Sequence, residues 1–285
     1  MNINEKYNCR ICENDKNFIK LIDDKEFNLI KCLECGFIFR EEKIIKNHPT
    51  GGLENNLIKN LNHQKKLYNK FNKRFRKINY YKKIPGKILD IGCGWGGFLD
   101  IAREKGWDIY GVDIDATKVE SCKRKGIKVY QGEIANINFA ENSLDVVCMF
   151  HTLEHIININ QTLSEIYRIL KYEGLLVIEI PTIGSLKAKI YGRHWFYVTA
   201  DHINYFTPVL LRKILEKRFK ILKTKFYSTG DVIGTINMIF HKNINIEDRL
   251  KYVPHFLLRI KSIFEMIFCL PYFGDTLIIY AQKIK

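Results

Sequence analysis

The hydrophobic positions of this chain change their spacing at residue 85. Residues 53–84 repeat apolar side chains at helical spacing, with basic residues on the other faces, and Pro85 and Gly86 end that helix. From Lys87 onward, short apolar runs alternate with amphipathic segments, which predicts βαβ units and a mostly parallel sheet. The expected strands are 87–91, 108–112, 128–131, 144–150, 175–180, 220–226 and 276–281, and the expected helices are 97–105, 116–125, 160–170 and 208–218.

A long insertion, residues 228–273, separates the last two expected strands. It contains a second amphipathic helix between Leu250 and Ile267. We consider three positions for this helix: packed on the sheet, forming one side of an acceptor site, or lying on a membrane surface. The pattern divides the chain into a cysteine-rich module at 1–40, a basic amphipathic helical linker or cap at 41–84, and an α/β domain at 85–285.

The 285-residue chain carries a formal net charge of +15, which favours nucleic acid, an acidic membrane surface or a phosphorylated substrate as partner. An equally weighted alternative is that the positive charge has no specific partner and reflects only the general abundance of lysine in a chain that is also rich in isoleucine and asparagine. The N-terminus has no apolar signal-peptide core, and no apolar run approaches the roughly 20 residues of a membrane span. We expect a cytoplasmic protein, with peripheral membrane contact left open, whose eight cysteines need a role other than structural disulfides.

Four of these cysteines form two C-x2-C pairs near the N-terminus. Cys9 and Cys12 make the first pair, and Cys32 and Cys35 make the second. Each pair presents two thiolates on one side of a turn, so two pairs complete the tetrahedron that zinc requires. A redox dithiol is the alternative. Because protein ligands fill all four positions, the pattern predicts a structural Zn²⁺ rather than a catalytic ion.

A glycine-rich turn follows the first expected strand of the α/β region. Gly92, Gly94 and Gly97 satisfy G-x-G-x-x-G, the pattern of a dinucleotide site, at the start of a helix. Asp113 ends the next strand about 20 residues later, where a carboxylate would bind ribose hydroxyls in either of two cofactor classes. Asp90 favours S-adenosylmethionine over a dinucleotide, because a carboxylate there suits an ammonium and a sulfonium better than a pyrophosphate.

Further motifs stand in the order of one enzyme family. Together, residues 89–94 (LDIGCG), 111–115 (GVDID), 144–147 (LDVV), 150–155 (FHTLEH) and 171–176 (KYEGLL) resemble the class I S-adenosylmethionine-dependent methyltransferases. That resemblance implies a Rossmann-like, mostly parallel, seven-stranded sheet. With the N-terminal cysteines and residues 201–207 (DHINYFT), the chain resembles zinc-ribbon methyltransferases of polysaccharide and sugar-modification clusters. The cysteine spacer is shorter than theirs, so their substrates do not carry over.

The resemblance also implies which residues surround the cofactor. They are Asp90, Gly92, Cys93 and Gly94 at the methionine end, Asp113 at the ribose hydroxyls, Ile114 on the adenine face, Glu133 and Ile134 at the adenine edge, and His151 in the cleft wall. For Glu133 the alternative is a solvated loop acid.

Two histidines are candidate catalytic bases. Residues 151–155 also spell H-x-x-E-H, an inverted zinc-peptidase motif, but the segment directly follows an expected buried strand. The methyltransferase order of motifs already accounts for it. Transfer to an oxygen or carbon acceptor calls for a base, and His202 is the first candidate, with His155 second. A structural hydrogen-bonding role for His202 is the alternative.

Three functions stay open at this level. The favoured one is O- or C-methylation of a small molecule, sugar, glycan or glycolipid. RNA methylation is the alternative, since the basic stripe at 59–83 and a zinc ribbon both suit RNA, although no RNA-methyltransferase catalytic motif is present. A scaffold that binds the cofactor or a protein partner without turnover is the third. The sequence leaves the oligomeric state open.

Overall fold

The computed structural model describes residues 7–42, 61–228 and 274–285. These residues contain eleven strands in two sheets. The strands are β1 (Phe18–Asp23), β2 (Phe27–Cys32), β3 (Ile38–Glu42), β4 (Lys87–Ile91), β5 (Asp108–Asp113), β6 (Lys128–Gln131), β7 (Leu144–Phe150), β8 (Leu170–Pro181), β9 (Asn204–Tyr205), β10 (Phe219–Tyr227) and β11 (Thr276–Lys283).

The larger sheet has seven strands in the order β10-β11-β8-β7-β4-β5-β6. Five neighbouring strands of this sheet are parallel to one another: β8, β7, β4, β5 and β6. Strand β11 is antiparallel to both of its neighbours, β8 and β10. The expectation of a Rossmann-like, mostly parallel sheet of seven strands is therefore confirmed. All seven strands predicted from Lys87 onward are present, with β8 extending five residues earlier than expected because it starts directly from the preceding helix.

Six α-helices lie in the described residues. They are α1 (Leu61–Tyr81), α2 (Gly97–Glu104), α3 (Ala116–Arg124), α4 (Ile159–Ile169), α5 (Leu186–Tyr191) and α6 (Pro208–Leu215). Helices α1, α2 and α3 cover one face of the large sheet, while α4, α6 and the N-terminal module cover the other. Apolar strands buried on both faces are what a parallel sheet requires, and the short α5 is the helix that the pattern does not predict.

The first strand of the α/β region marks the point where the chain reverses its direction across the sheet. Strand β4 pairs with β5 on one side and with β7 on the other. The chain therefore moves outward through β5 and β6, and then returns to β7. Ligands of open α/β sheets bind at such a switch point, beyond the carboxyl ends of the strands. Here those ends are Ile91, Asp113 and Phe150.

The N-terminal module joins the large domain through a shared sheet. Strands β1, β2 and β3 form an antiparallel meander, and β9 from the large domain adds to it as a fourth strand beside β3. Phe37 packs on Phe206 with ring centroids 5.7 Å apart, so the two parts share one apolar core. Strand β3 continues to Glu42, two residues beyond the predicted end of the module.

Helix α1 is amphipathic as predicted, but one of its basic residues is on the buried side. Phe75 and Ile78 are buried, and the ring of Phe71 lies so close to Gly97 that a Cβ there would come within 2.8 Å of it. Tyr68, which we expected on the apolar face, is half-exposed. Arg74, expected on the solvated basic face, is buried instead, because an acidic side chain of β8 pairs with it.

Two predicted segments lie outside the described residues: the start of the first helix, 53–60, and the insertion from 229 to 273 with its amphipathic helix. No helix within the described residues has the length and apolarity that crossing a membrane requires.

Candidate active site

The glycine-rich turn after β4 has an open side. Gly92, Gly94 and Gly96 all have positive φ angles, of 73°, 55° and 77°, which glycine adopts without strain. A Cβ at Gly92 would collide with Thr152, so the backbone passes that side chain closely. A Cβ at Gly94 would meet nothing within 4 Å, so bare backbone is exposed to a ligand there.

Asp113, at the end of the neighbouring strand β5, is hydrogen-bonded to this turn. Its carboxylate accepts hydrogen bonds from the backbone N–H groups of Gly94 at 2.8 Å and Asp115 at 2.9 Å. The carboxylate is thereby fixed at the carboxyl end of β5, beside the open backbone. Ile114 follows it and is 65% exposed, which is unusual for a large apolar side chain and leaves a flat surface for a ring.

Asp90 lies in β4, two residues before the first glycine of the same turn. It is 3% exposed, and its Oδ1 has no hydrogen-bond partner among the residues that the structure describes. Burial raises the pKa of this carboxyl well above its usual range; the nearby Asp113 adds to the increase, and the charge of Arg74 opposes it. A buried acid of this kind is suited to a cationic ligand group.

The other residues expected around the cofactor differ in how far their side chains are exposed. Cys93 turns its sulfur under the glycine turn, where it lies against Gly111. Ile134, the first residue of the short 3-10 helix Ile134–Asn136, is buried in the core. Glu133, directly before that helix, is exposed. Cys93 follows β4, and Glu133 and Ile134 follow β6, so all three lie at the carboxyl edge of the sheet. The buried side chain of Ile134 leaves its main chain as the part that could meet the adenine edge.

His151, at the end of β7, belongs to a buried network of charges. It takes a φ angle of 56°, a rare conformation for a residue with a side chain that is often found at functional sites. Its Nε2 lies 3.3 Å from Glu179 Oε1, and its Nδ1 lies 3.4 Å from Glu154 Oε1. Burial acts to lower the pKa of His151, but the two carboxylates outweigh it and raise the pKa above its usual value.

Glu179 connects this network to helix α1. It accepts two hydrogen bonds from Arg74, at 2.8 Å and 2.5 Å, and Lys70 Nζ lies 3.7 Å away. Burial acts to raise the pKa of Glu179, yet the contacts with His151 and Arg74 hold it well below its usual range. A bidentate pair of this kind fixes both side chains, so α1 is anchored directly behind His151.

The two candidate bases lie together. His155 ends the short 3-10 helix Leu153–His155, and His202 precedes β9; their ring centroids are 4.8 Å apart. The ring of Tyr197 lies nearly parallel to the rings of both His202 and His151, with centroids 5.8 Å and 6.2 Å away. The stack places the candidate bases beside the residue expected in the cofactor cleft.

The four N-terminal cysteines converge. Cys9 Sγ lies 3.5 Å from Cys35 Sγ, and Cys12 Sγ lies 3.6 Å from Cys32 Sγ. All four sulfurs lie within 4.8 Å of one another. Tetrahedral zinc with bonds of about 2.3 Å needs sulfurs about 3.8 Å apart, so this cluster fits the ion.

Known proteins share this arrangement. An open sheet of this strand order, with a glycine turn after its first strand and an acid after its second, defines the Rossmann-like fold of S-adenosylmethionine-dependent methyltransferases. The chain belongs to the family described as methyltransferase domain, whose model matches residues 62–219, more than half of its length. A solved S-adenosylmethionine-dependent methyltransferase from Archaeoglobus fulgidus has a TM-score of 0.56 and 26% identity; the match covers 77% of this chain and 94% of that one.

Curated relatives match a shorter region. A probable S-adenosylmethionine-dependent methyltransferase of Mycolicibacterium smegmatis is 27% identical over 33% of this chain and 37% of its own length. A ubiquinone/menaquinone biosynthesis C-methyltransferase of Campylobacter jejuni is 26% identical over 36% of this chain and 48% of its own length. The chain thus spans less than half the length of these two relatives. The domain that they share with it is an S-adenosylmethionine-dependent methyltransferase domain.

Sequence reasoning missed the residues that connect the elements around the site. Arg74, Glu179 and Tyr197 come from three separate segments, and none stands in a motif. One signal was available: Glu179 is the only acid in the apolar run 175–180. A buried carboxylate requires a cationic partner, but the spacing of residues along the chain does not identify Arg74 as that partner.

Proposed function

We propose that this protein transfers a methyl group from S-adenosylmethionine to oxygen or carbon of a small-molecule, sugar or glycan acceptor. The observation that carries the proposal is the buried carboxylate of Asp90, whose Oδ1 has no hydrogen-bond partner among the described residues, next to the open backbone of Gly94. An ammonium group would satisfy that carboxylate. S-adenosylmethionine carries such a group, whereas the pyrophosphate of a dinucleotide would be repelled.

Each residue at the strand ends then has a part in binding. S-adenosylmethionine supplies a methyl group on a positively charged sulfur. The turn Gly92-Cys93-Gly94 and Asp90 would hold the methionine end, and Asp113 would accept hydrogen bonds from the ribose hydroxyls. Ile114 would lie on the adenine, Glu133 and the backbone of Ile134 would meet its edge, and His151 would line the cleft.

On the acceptor side, proton removal falls to the histidine pair. Burial lowers the pKa of His202 below its usual value, which keeps the ring neutral and able to accept a proton near neutral pH. His202 Nδ1 lies 2.9 Å from the carbonyl oxygen of Tyr197, so Nδ1 donates and Nε2 keeps its lone pair. His155 is the second candidate, and the enzyme otherwise works by positioning the acceptor against the methyl group.

Three features support a small or sugar-like acceptor. Lys70 and Lys73 line a cavity of about 160 Å³ beside the Arg74–Glu179 pair, and two lysines there suit an acceptor that carries phosphate. The relative from Campylobacter jejuni is named for methylation of a small molecule at carbon. The N-terminal cysteines and residues 201–207 resemble those of sugar-modification enzymes, and this narrower resemblance also supports a sugar-like acceptor.

The N-terminal module has a structural part in this proposal. Zn²⁺ held by Cys9, Cys12, Cys32 and Cys35 would stabilise residues 1–40, with 41–84 as a helical cap and 85–285 as the catalytic domain. Zinc thiolates persist in a reducing compartment, which supports a cytoplasmic location.

The test is methyl transfer with labelled S-adenosylmethionine. The purified protein is incubated with three fractions of its own cell extract: a low-molecular-weight filtrate, a lipid and glycolipid extract, and total RNA. We expect label in the filtrate or the lipid fraction, and we expect the Asp113→Ala variant to lose it. Label in neither fraction contradicts the proposed acceptor class.

RNA methylation is the second candidate, because Lys65, Lys66, Lys73 and Arg76 are exposed on α1. Label in the RNA fraction alone would favour it. Binding to that RNA should then weaken steeply with salt, since each phosphate contact releases counterions.

A further inference from the structure

One group of side chains beside the cofactor cleft has the composition of a metal site. Glu154 and His155 come from the 3-10 helix after β7, and His202 comes from the loop before β9. One carboxylate oxygen and one ring nitrogen of each histidine all lie within 4.8 Å of one another. Ile203 N–H donates to the carbonyl oxygen of Glu154 at 3.0 Å, so the two segments are fixed together.

Glu154 is the first indication of a missing partner. Its side chain is 1% exposed, and neither carboxylate oxygen accepts a hydrogen bond from any residue in the part of the chain that the structure describes. His151 Nδ1 lies 3.4 Å from Glu154 Oε1, but the same ring faces Glu179 through Nε2, so one imidazole is shared between two buried carboxylates. A buried carboxylate without hydrogen bonds is strongly disfavoured unless a cation compensates it.

The two histidines are the second indication. His155 Nδ1 lies 2.7 Å from the carbonyl oxygen of Asp201, and His202 Nδ1 lies 2.9 Å from that of Tyr197. A carbonyl oxygen only accepts, so each Nδ1 carries the proton and each Nε2 keeps its lone pair. Metal-binding histidines are typically held in this way, with one ring nitrogen donating to a backbone carbonyl and the other facing the ion.

We propose that Glu154, His155 and His202 bind one divalent transition-metal ion, separate from the zinc of the four cysteines. Two imidazole nitrogens and one carboxylate are a ligand set that first-row divalent ions accept, and three protein ligands leave positions open for a further ligand. The role of the ion, unlike its binding, rests on the proposed function. It would hold an acceptor through a hydroxyl, enol or carboxyl oxygen. With the ion bound, this contact would replace the direct proton removal that the proposed function assigns to His202 or His155, because each Nε2 lone pair would then be on the metal.

The test measures metal binding directly. The purified full chain is loaded with Zn²⁺ until the cysteine site is filled and is then titrated with Co²⁺. A site of nitrogen and oxygen ligands gives visible d–d absorption without the intense near-ultraviolet bands of Co²⁺ bound to thiolates. We expect one equivalent of Co²⁺ to bind with the first kind of spectrum, and total bound metal to reach two equivalents per chain.

Three variants decide the assignment. Glu154→Gln and His155→Gln keep nearly the same shape, and each should lose the second equivalent while retaining the first. His194→Gln is the matched control, because His194 is an exposed histidine outside the cluster and should keep both equivalents. Circular dichroism identifies a variant that fails to fold, in which case the other variant decides.

Two results would overturn the inference. One is a wild-type chain that binds no Co²⁺ once its cysteines hold Zn²⁺, and the other is a folded Glu154→Gln or His155→Gln variant that retains both equivalents. Failure of the proposed function has a different signature, since methyl transfer can be absent while the second metal still binds. Conversely, methyl transfer by a chain that binds only the cysteine zinc overturns this inference alone.

Discussion

Asp113 holds its carboxylate ready for a ligand by accepting two backbone hydrogen bonds at the carboxyl end of β5. We predict that Asp113→Ala raises the Kd for S-adenosylmethionine about 10- to 100-fold, since hydrogen bonds to a charged group contribute about 1.5–3 kcal/mol. Isothermal titration calorimetry measures this change. Asp108→Ala, at the opposite end of the same strand, is the control and should leave the Kd within about twofold.

Asp90 should couple cofactor binding to proton release. Burial raises its pKa in the free protein, and an ammonium partner would favour the charged form. Binding of S-adenosylmethionine should therefore release a proton and should tighten as pH rises through the raised pKa of Asp90. Calorimetry in two buffers of different ionisation enthalpy counts that proton. An Asp90→Asn variant should release none; equal release by the variant and the wild type would refute this role.

The Arg74–Glu179 pair should contribute to stability above acidic pH. Arg74→Met removes the bidentate partner of Glu179 and leaves that buried carboxylate with His151 and the more distant Lys70, so we expect a loss of about 3 kcal/mol in the free energy of unfolding at pH 7. Because the pKa of Glu179 is held below its usual 4.5, the stabilisation is complete above that value and is lost as pH falls.

Urea unfolding at pH 7 and at acidic pH measures both effects. The difference between Arg74→Met and wild type should shrink in acid, where Glu179 becomes protonated. Adding Glu179→Gln to Arg74→Met should restore part of the lost stability at pH 7. An equal difference at both pH values would mean that the two charges are not coupled.

At the scale of elements, the N-terminal module holds the loop that carries His202. Strand β3 pairs with β9 directly after that loop, and Arg10 donates to Asn204 at 3.0 Å. We predict that removing zinc from the cysteine site by Cys9→Ser lowers methyl transfer at least about tenfold while the Kd for S-adenosylmethionine changes little. Labelled methyl transfer and calorimetry on the same preparation measure the two quantities.

Cys148→Ala is the control for loss of a thiol, because Cys148 lies in β7 within the large sheet. It should retain methyl transfer. Equal loss of cofactor binding and methyl transfer in Cys9→Ser would show instead that the module supports the whole domain rather than the acceptor loop.

The elements differ in how well the sequence predicts them. Strands β4 and β7 and the glycine turn were placed correctly, since apolar runs and glycines act locally. Strand β9 has only two residues, and its pairing with β3 depends on contacts between segments far apart in sequence. The same reason explains why Glu154 and Arg74 were not assigned to the site: their partners lie on other elements.

Across the whole molecule, two separate pieces enclose the carboxyl edge of the sheet. Helix α1 approaches from one side and pairs Arg74 with Glu179, while the N-terminal module approaches from the other and pairs β3 with β9. Asp90 and Asp113, the residues proposed to bind the cofactor, lie at the switch point between these pieces, and the histidines lie beside β9. We therefore propose that the donor and the acceptor bind in neighbouring parts of one cleft.

The most direct measurement of this central claim is a crystal structure of the complex with S-adenosylhomocysteine. We predict that Asp113 binds both ribose hydroxyls, that Asp90 contacts the ammonium group directly or through one water, and that the sulfur faces Glu154, His155 and His202. A cofactor bound elsewhere, or a sulfur that points away from these three residues, would contradict the account.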